Sequence, residues 1–182
     1  MTKYFIIVFL CTCLIIGKLS PVTLLDNIVN LLIYLLASYV LIDFFDFIKS
    51  SFSSVNRIKI PIYLIVSSLL IFGPYKFIDD VYLQGYLVES DVFGIIIPIT
   101  SIALFVGYIW LGIVLIINKK YKSIGLVFLI SFILFMVMFT VYLINRIETY
   151  YMVSQFFNVL MYVAILFTYF QKNSEGTITN AN

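Results

Sequence analysis

Two runs of uncharged polar residues are the first candidates for chemistry in this sequence. The first run contains Asn30, Tyr34 and Ser38. The second run contains Gln155, Asn158 and Tyr162. Intervals of three and four residues place each run on one face of a helix. Two interpretations stay open: the side chains line a polar cavity for a solute or a lipid headgroup, or they hydrogen-bond across a helix interface for about 1 kcal/mol each.

Two carboxylates, Asp43 and Asp46 in the sequence DFFD, form the second candidate site. Carboxylates at this spacing can hold Mg²⁺ together with a substrate phosphate, as in membrane prenyl and phosphatidyl transferases. Those enzymes need further carboxylates on the same side of the membrane, and the spans of this sequence add none. Lys49 follows Asp46 by three residues, which favours an ordinary surface ion pair. The pair is therefore a weak metal candidate.

Several other chemistries are excluded by residues that the sequence lacks. It has no histidine, which removes His-activated nucleophiles and His-based metal sites. Cys11 and Cys13 point to different sides of a helix and cannot readily bridge each other. The net charge of +2 is too small for a nucleic-acid-binding footprint. The sequence favours a protein that binds no cofactor and no nucleic acid and is not an enzyme.

The composition indicates the class of protein that would position these residues. The chain has 182 residues, of which 63% are hydrophobic and 11% charged, and its mean hydropathy is +1.13. A soluble domain is roughly 45–50% apolar and about 25% charged. Because so little polar surface is present, a soluble enzyme is excluded. The sequence predicts an all-α integral membrane protein with several spans in the cell (inner) membrane.

Six segments are long and apolar enough to cross a bilayer, which takes about 20 residues. They predict a bundle of six transmembrane helices in a single polytopic domain over residues 1–170, followed by a polar disordered tail over residues 171–182. The predicted spans are residues 3–20, 27–48, 60–78, 93–118, 124–144 and 150–170. If the first span is a cleaved signal peptide, five remain. The sequence KLSPVT after Gly17 has no typical cleavage site, which favours retention.

The basic residues predict the orientation of the spans. With the amino terminus inside, the inner segments hold eight of the 11 Lys and Arg residues and the outer segments hold three. The inner eight are Lys3, Lys49, Arg57, Lys59, Lys119, Lys120, Lys122 and Lys172. Cytoplasmic segments of membrane proteins carry such an excess. Both termini are therefore predicted to be cytoplasmic.

Six spans with both ends inside, in a chain of this length, resemble the topology of the substrate-binding subunits of energy-coupling-factor vitamin transporters. The resemblance covers topology alone and implies a solute-binding component of a membrane transporter. The first helix of that family usually carries an AxxxA-type motif that docks the coupling subunit. The corresponding segment here, YFIIVFLCTCLIIG, contains no alanine.

Three functional hypotheses follow. The preferred one is a non-enzymatic accessory, immunity or regulatory component that acts through helix–helix and loop contacts, because catalytic residues are missing and the loops are short. The second is a solute- or lipid-binding transport component that uses the two polar runs. The third is a lipid-modifying enzyme that uses Asp43 and Asp46. The expected partners are the lipid bilayer and either another membrane protein or a second copy of the chain.

Overall fold

The computed structural model describes residues 6–9, 24–83 and 91–179, and within these ranges it contains helices and short connections but no strand. The long helices are α1 (Leu24–Ile48), α2 (Val55–Ile78), α3 (Asp91–Ile117), α4 (Lys122–Asn145) and α5 (Glu148–Thr179). All five are long and apolar enough to cross a membrane. The predicted all-α class is confirmed at this level. Apart from the helical residues 6–9, the first predicted span lies outside the described residues, as do Cys11 and Cys13.

Some helix boundaries differ from the predicted spans. Helix α2 begins at Val55, so Pro61 lies inside the helix rather than at its start. Pro74 and Pro98 also lie inside helices, since α2 and α3 continue past them. Proline removes one backbone hydrogen bond, but contacts with neighbouring helices let membrane helices tolerate it. Pro61 is buried, and its carbonyl lies close to Gly107 of α3.

Two helices extend past the ends of their predicted spans. Helix α2 passes at residue 79, just beyond the predicted span, into a π-helical turn, Asp79–Leu83. Helix α5 continues to Thr179, whereas the polar tail was expected from residue 171. Helix α4 ends at Asn145, and the next residue, Arg146, has a left-handed backbone (φ 57°) and donates its N–H to the Tyr142 carbonyl at 2.7 Å. This bond closes the last turn of α4 before α5 begins.

The chain divides into two compact units, and the first, Thr12–Leu111, contains α1, α2 and most of α3. Helices α1 and α2 pack side by side. Tyr34 of α1 lies against Gly73 of α2. Phe45, further along α1, meets Tyr63, which comes earlier in α2, edge to face with ring centroids 6.2 Å apart. The two helices are therefore antiparallel, and their shared core is fully buried at Leu41, Phe44, Ile48, Ile58, Ile62 and Ile65.

The second unit, Gly112–Asn182 together with Met1–Cys11, contains the end of α3 and all of α4 and α5. Helices α4 and α5 pack side by side. The rings of Tyr142 and Tyr151 meet edge to face at 5.2 Å, close to the turn that joins the helices. Phe139 stacks on Phe135 at 5.8 Å and extends this aromatic contact along α4. The α4–α5 pair is thus also an antiparallel hairpin.

Glycines set the closest approaches between neighbouring helices. A Cβ added at Gly125 of α4 would lie 2.6 Å from the Ile116 backbone nitrogen of α3, and one added at Gly107 would lie 2.6 Å from Cγ1 of Ile65. Small residues allow such approaches, and in lipid close packing replaces the hydrophobic effect as the force that associates helices. These glycines therefore stabilise helix packing by letting the neighbouring helix approach closely, and not by burying apolar surface of their own.

Each of the five helices also exposes large apolar side chains. On α3 they recur every three or four residues and form a continuous stripe along the helix. The stripe contains Ile95, Ile99, Ile102, Val106, Trp110, Ile113 and Ile117. In water such surfaces would drive aggregation, whereas in a bilayer they face hydrocarbon or another membrane protein.

We expect Gly125→Ala to destabilise the second unit by about 1–3 kcal/mol, because the new methyl group meets backbone that cannot move aside. Gly112→Ala is the matched control. At Gly112 the nearest atoms to an added Cβ are the Cβ and Cδ1 of the Leu129 side chain, at 3.0 and 3.1 Å. Both glycines are helical, so the intrinsic preference of helices for alanine is the same in both variants. Unfolding by SDS titration from mild detergent would measure the difference, and equal stability of the two variants would contradict the prediction.

Candidate functional site

The two polar runs lie in different units of the structure. Asn30, Tyr34 and Ser38 belong to α1 in the first unit, where Asn30 and Tyr34 are half-buried and Ser38 is buried. The second run belongs to α5 in the second unit, and it contains Gln155, Asn158 and Tyr162. Each run is therefore described separately, with the residues of its own unit.

Tyr34 of the first run packs directly against α2. A Cβ on Gly73 would lie 2.8 Å from the Tyr34 Cβ, so only glycine leaves room for the tyrosine at that point. Phe72 packs edge to face on the Tyr34 ring, with centroids 5.7 Å apart. Asp80 and Tyr108 lie within electrostatic range of the phenol. Tyr34 thus joins α1 to α2, with polar groups of α3 and the π-helical turn nearby.

The hydroxyl of Ser38 is used inside its own helix. It donates to the Tyr34 carbonyl at 2.9 Å. Ser68 of α2 does the same with the Leu64 carbonyl at 2.8 Å, and Thr100 of α3 donates to the Ile96 carbonyl at 2.9 Å. A hydroxyl bonded in this way is satisfied in hydrocarbon without a ligand.

The second run is partly paired within α5. The Asn158 amide nitrogen donates to the Gln155 side-chain oxygen at 3.3 Å, and both residues are half-buried. Tyr162 is buried, at 4% exposure. Ser154 and Thr168 on the same helix are also buried, and each donates to a carbonyl three residues earlier. The α5 side chains thus form a polar strip that is bonded largely along the helix axis.

The carboxylate pair lies at the end of α1. The Asp46 carboxylate accepts from the Lys49 ammonium at 2.8 Å, and both side chains are about half exposed. Asp43 is half-buried one turn earlier. Among the described residues no group of three or more His, Cys, Asp or Glu side chains could hold a metal ion. The arrangement at Asp46 is that of a solvated ion pair.

Two features of the first unit were missed by sequence reasoning. Gly73 lies where its missing side chain admits the Tyr34 ring. Asp79 follows the predicted third span directly, yet in the π-helical turn it is buried, at 5% exposure. Its neighbour Asp80 pairs with Lys76 at 2.9 Å. The two adjacent aspartates have the same side chain, so the sequence contains no signal that one carboxylate is buried and the other exposed.

Comparison with models of known protein families, with curated proteins and with solved structures finds no match to this chain. Its class therefore rests on its own structure. Five long apolar helices, which expose apolar side chains and bond several serine and threonine hydroxyls to their own carbonyls, indicate a multi-pass membrane protein.

We expect Tyr34→Ala to weaken the α1–α2 hairpin by roughly 2 kcal/mol. Truncation of a buried aromatic side chain costs about 3–5 kcal/mol in soluble proteins. The cost is smaller here because Tyr34 is half-buried and because hydrocarbon is as apolar as the core, which reduces the transfer part of the cost. Ser38→Ala, one turn away on the same face, is the control and should change stability by less than about 0.5 kcal/mol, since only an intrahelical bond is lost. Steric-trap or SDS unfolding would compare them. A larger effect at Ser38 than at Tyr34 would show that the hydroxyl serves another purpose.

Proposed function

We propose that this chain is a multi-pass protein of the cell (inner) membrane that catalyses no reaction. It acts as an accessory, immunity or regulatory component, through contacts of its helices and loops with another membrane protein or a second copy. The observation that carries the proposal is the internal use of the polar runs. Ser38 bonds the carbonyl of Tyr34, Asn158 bonds Gln155, and the Tyr34 ring fills the space beside Gly73. Groups used in this way support helix packing rather than ligand binding.

The connections between helices support the same function. Residues 49–54 join α1 to α2, residues 118–121 join α3 to α4, and residues 146 and 147 join α4 to α5. Connections of this length cannot form a soluble domain or enclose a substrate. Over these three connections and the helices that they join, the surface available for recognition consists mostly of the sides of the helices.

The exposed apolar faces provide that surface. Large side chains stand out on every one of the five helices, with exposures of 42% at Leu35, 48% at Ile71, 63% at Ile102, 49% at Ile133 and 58% at Phe156. A partner that packs there exchanges lipid contacts for side-chain contacts. Association then depends on shape and on small or polar residues at the interface, as in other helical membrane complexes.

Site-specific photo-crosslinking in native membranes tests for such a partner. A photoreactive amino acid is placed at one exposed position on each helix: Leu35, Ile71, Ile102, Ile133 and Phe156. We expect at least one position to yield a discrete adduct with one membrane protein or with a second copy of the chain, because a docked helix face excludes lipid. Ile65, which is fully buried, is the control and should crosslink only within the chain.

Three outcomes would contradict the proposal. The first is lipid adducts alone at all five positions, together with the mass of a monomer in native mass spectrometry. The second is a retained small molecule that is lost from Tyr34→Ala or Tyr162→Ala protein that remains folded, which would favour the solute-binding alternative. The third is metal-dependent lipid modification abolished by Asp43→Asn, which would favour the enzyme alternative.

We further propose six spans with both termini in the cytoplasm, on the basis of the eight-to-three distribution of basic residues. Single cysteines in a Cys11→Ser, Cys13→Ser background test this orientation at Ser53, Ser123 and Glu148, which are all exposed. In intact cells a membrane-impermeant maleimide should label Glu148→Cys alone, while Ser53→Cys and Ser123→Cys react only after permeabilisation. Labelling of Ser53→Cys and Glu148→Cys from the same side would overturn the topology.

A further inference from the structure

The amide pair of α5, Gln155 and Asn158, has hydrogen-bonding capacity that its own chain does not use. The Asn158 amide nitrogen donates to the Gln155 side-chain oxygen at 3.3 Å, and within the described residues neither side chain makes another hydrogen bond. A side-chain amide offers two N–H donors and one acceptor oxygen. One N–H and the oxygen of Asn158 and both N–H groups of Gln155 therefore remain. Both side chains are half-buried, so part of each is accessible to a partner.

The amide pair lies close to the centre of its span. The apolar span is Glu148–Phe170, and its middle residue is Val159. At about 1.5 Å per residue, the amide pair lies within roughly 6 Å of the membrane midplane, whereas the hydrocarbon core extends about 15 Å to either side. Water and headgroups are therefore out of reach. Because an amide without a hydrogen-bond partner is costly in hydrocarbon, the amide pair favours a polar partner that lies within the membrane.

We propose that this partner is a second copy of the chain, which docks on α5 so that the amide pairs of the two copies bond to each other. The inference rests on the proposed function, and it names the partner and the helix face that receives it. Two copies insert in the same orientation, because the same basic residues direct both. A twofold axis along the membrane normal then brings the two amide pairs together at the same depth.

The amide pair is complementary to itself. Its unused groups include donors and an acceptor, so a Gln155 N–H of one copy can donate to the Asn158 oxygen of the other, and the twofold axis forms the same bond again. No charge opposes the approach, since the sequence from Thr149 to Phe170 contains no Lys, Arg, Asp or Glu. Met152, one turn before Gln155, is 53% exposed and provides apolar contact beside the amides.

Asn30 of α1 is a matched amide in a different setting. It is also half-buried, but it lies three residues from the start of its span, Asn27–Ser51. This distance corresponds to about 4.5 Å along the helix, so water and headgroups can satisfy the Asn30 amide without a protein partner. Removal of this amide should therefore leave the association of two copies unchanged.

The experiment measures association of the full-length chain in lipid vesicles. Copies carrying donor or acceptor fluorophores at Ser53→Cys, in the background without the native cysteines, report dimers by energy transfer as the protein-to-lipid ratio is varied. Asn158→Leu, which keeps the size of the side chain but removes the amide, should raise the dimer dissociation constant about tenfold. Asn158→Gln retains an amide and should raise it much less. Asn30→Leu should change it by less than about twofold.

A second measurement leaves the amide pair intact and so does not depend on the folding of the leucine variant. Val159 is half-buried and lies one turn from Gln155. A membrane-permeable oxidant should link Val159→Cys of two copies by a disulfide, because residues beside a twofold axis bring their own Cα atoms within reach of such a bond. Phe167, which is 60% exposed, lies about half a turn around α5 from Asn158. Phe167→Cys is therefore the control and should not be linked.

Failure of this inference and failure of the proposed function give different results. Monomers at every protein-to-lipid ratio, an equal rise of the dissociation constant in Asn30→Leu and Asn158→Leu, or a disulfide yield at Phe167→Cys as high as at Val159→Cys would overturn the amide interface. The proposed function would survive these results if photo-crosslinking still gave a discrete adduct with another membrane protein. Lipid adducts alone, together with monomers in vesicles, would overturn both.

Discussion

The backbone of this protein must satisfy its own hydrogen bonds, because hydrocarbon offers none. An unpaired amide or carbonyl costs several kcal/mol in lipid. A helix satisfies every backbone group within its own segment, so the apolar segments of this chain are helical. The same constraint explains the side chains. Ser38, Ser68 and Thr100 donate to carbonyls of their own helices, and α2 and α3 continue past Pro74 and Pro98. Once the backbone is satisfied in this way, packing decides the remaining architecture.

In lipid, close contact between helices stabilises their association more than burial of apolar area does, because lipid tails are as apolar as leucine. The structure shows the consequence at Gly73, Gly107 and Gly125, where a methyl group would overlap a neighbouring helix. Apolar side chains are so abundant in this chain that they carry little information about which faces meet. The few glycines therefore have a disproportionate effect on how neighbouring helices pack within each unit.

The polar residues of the protein divide into two kinds with different prospects for function. Those within the helices, such as Ser38 and Asn158, have partners in their own helices and contribute to structure. Others lie at the helix ends, where Asp46 and Lys49 are exposed and form an ion pair at 2.8 Å, while Asp79 is buried. Charge at a helix end is therefore not by itself a sign of exposure.

The sequence by itself determined the all-helical class and the approximate positions of the five described spans, because length and hydropathy are local properties of a segment. It could also group Asn30, Tyr34 and Ser38 on one face, since helical periodicity requires no partner. It could not show that Gly73 receives Tyr34, that Asp79 is buried, or that α2 begins at Val55 with Pro61 inside it. Tertiary structure decided these features because each depends on atoms of another helix or on the geometry of a turn, and the spacing of residues along one segment does not encode them.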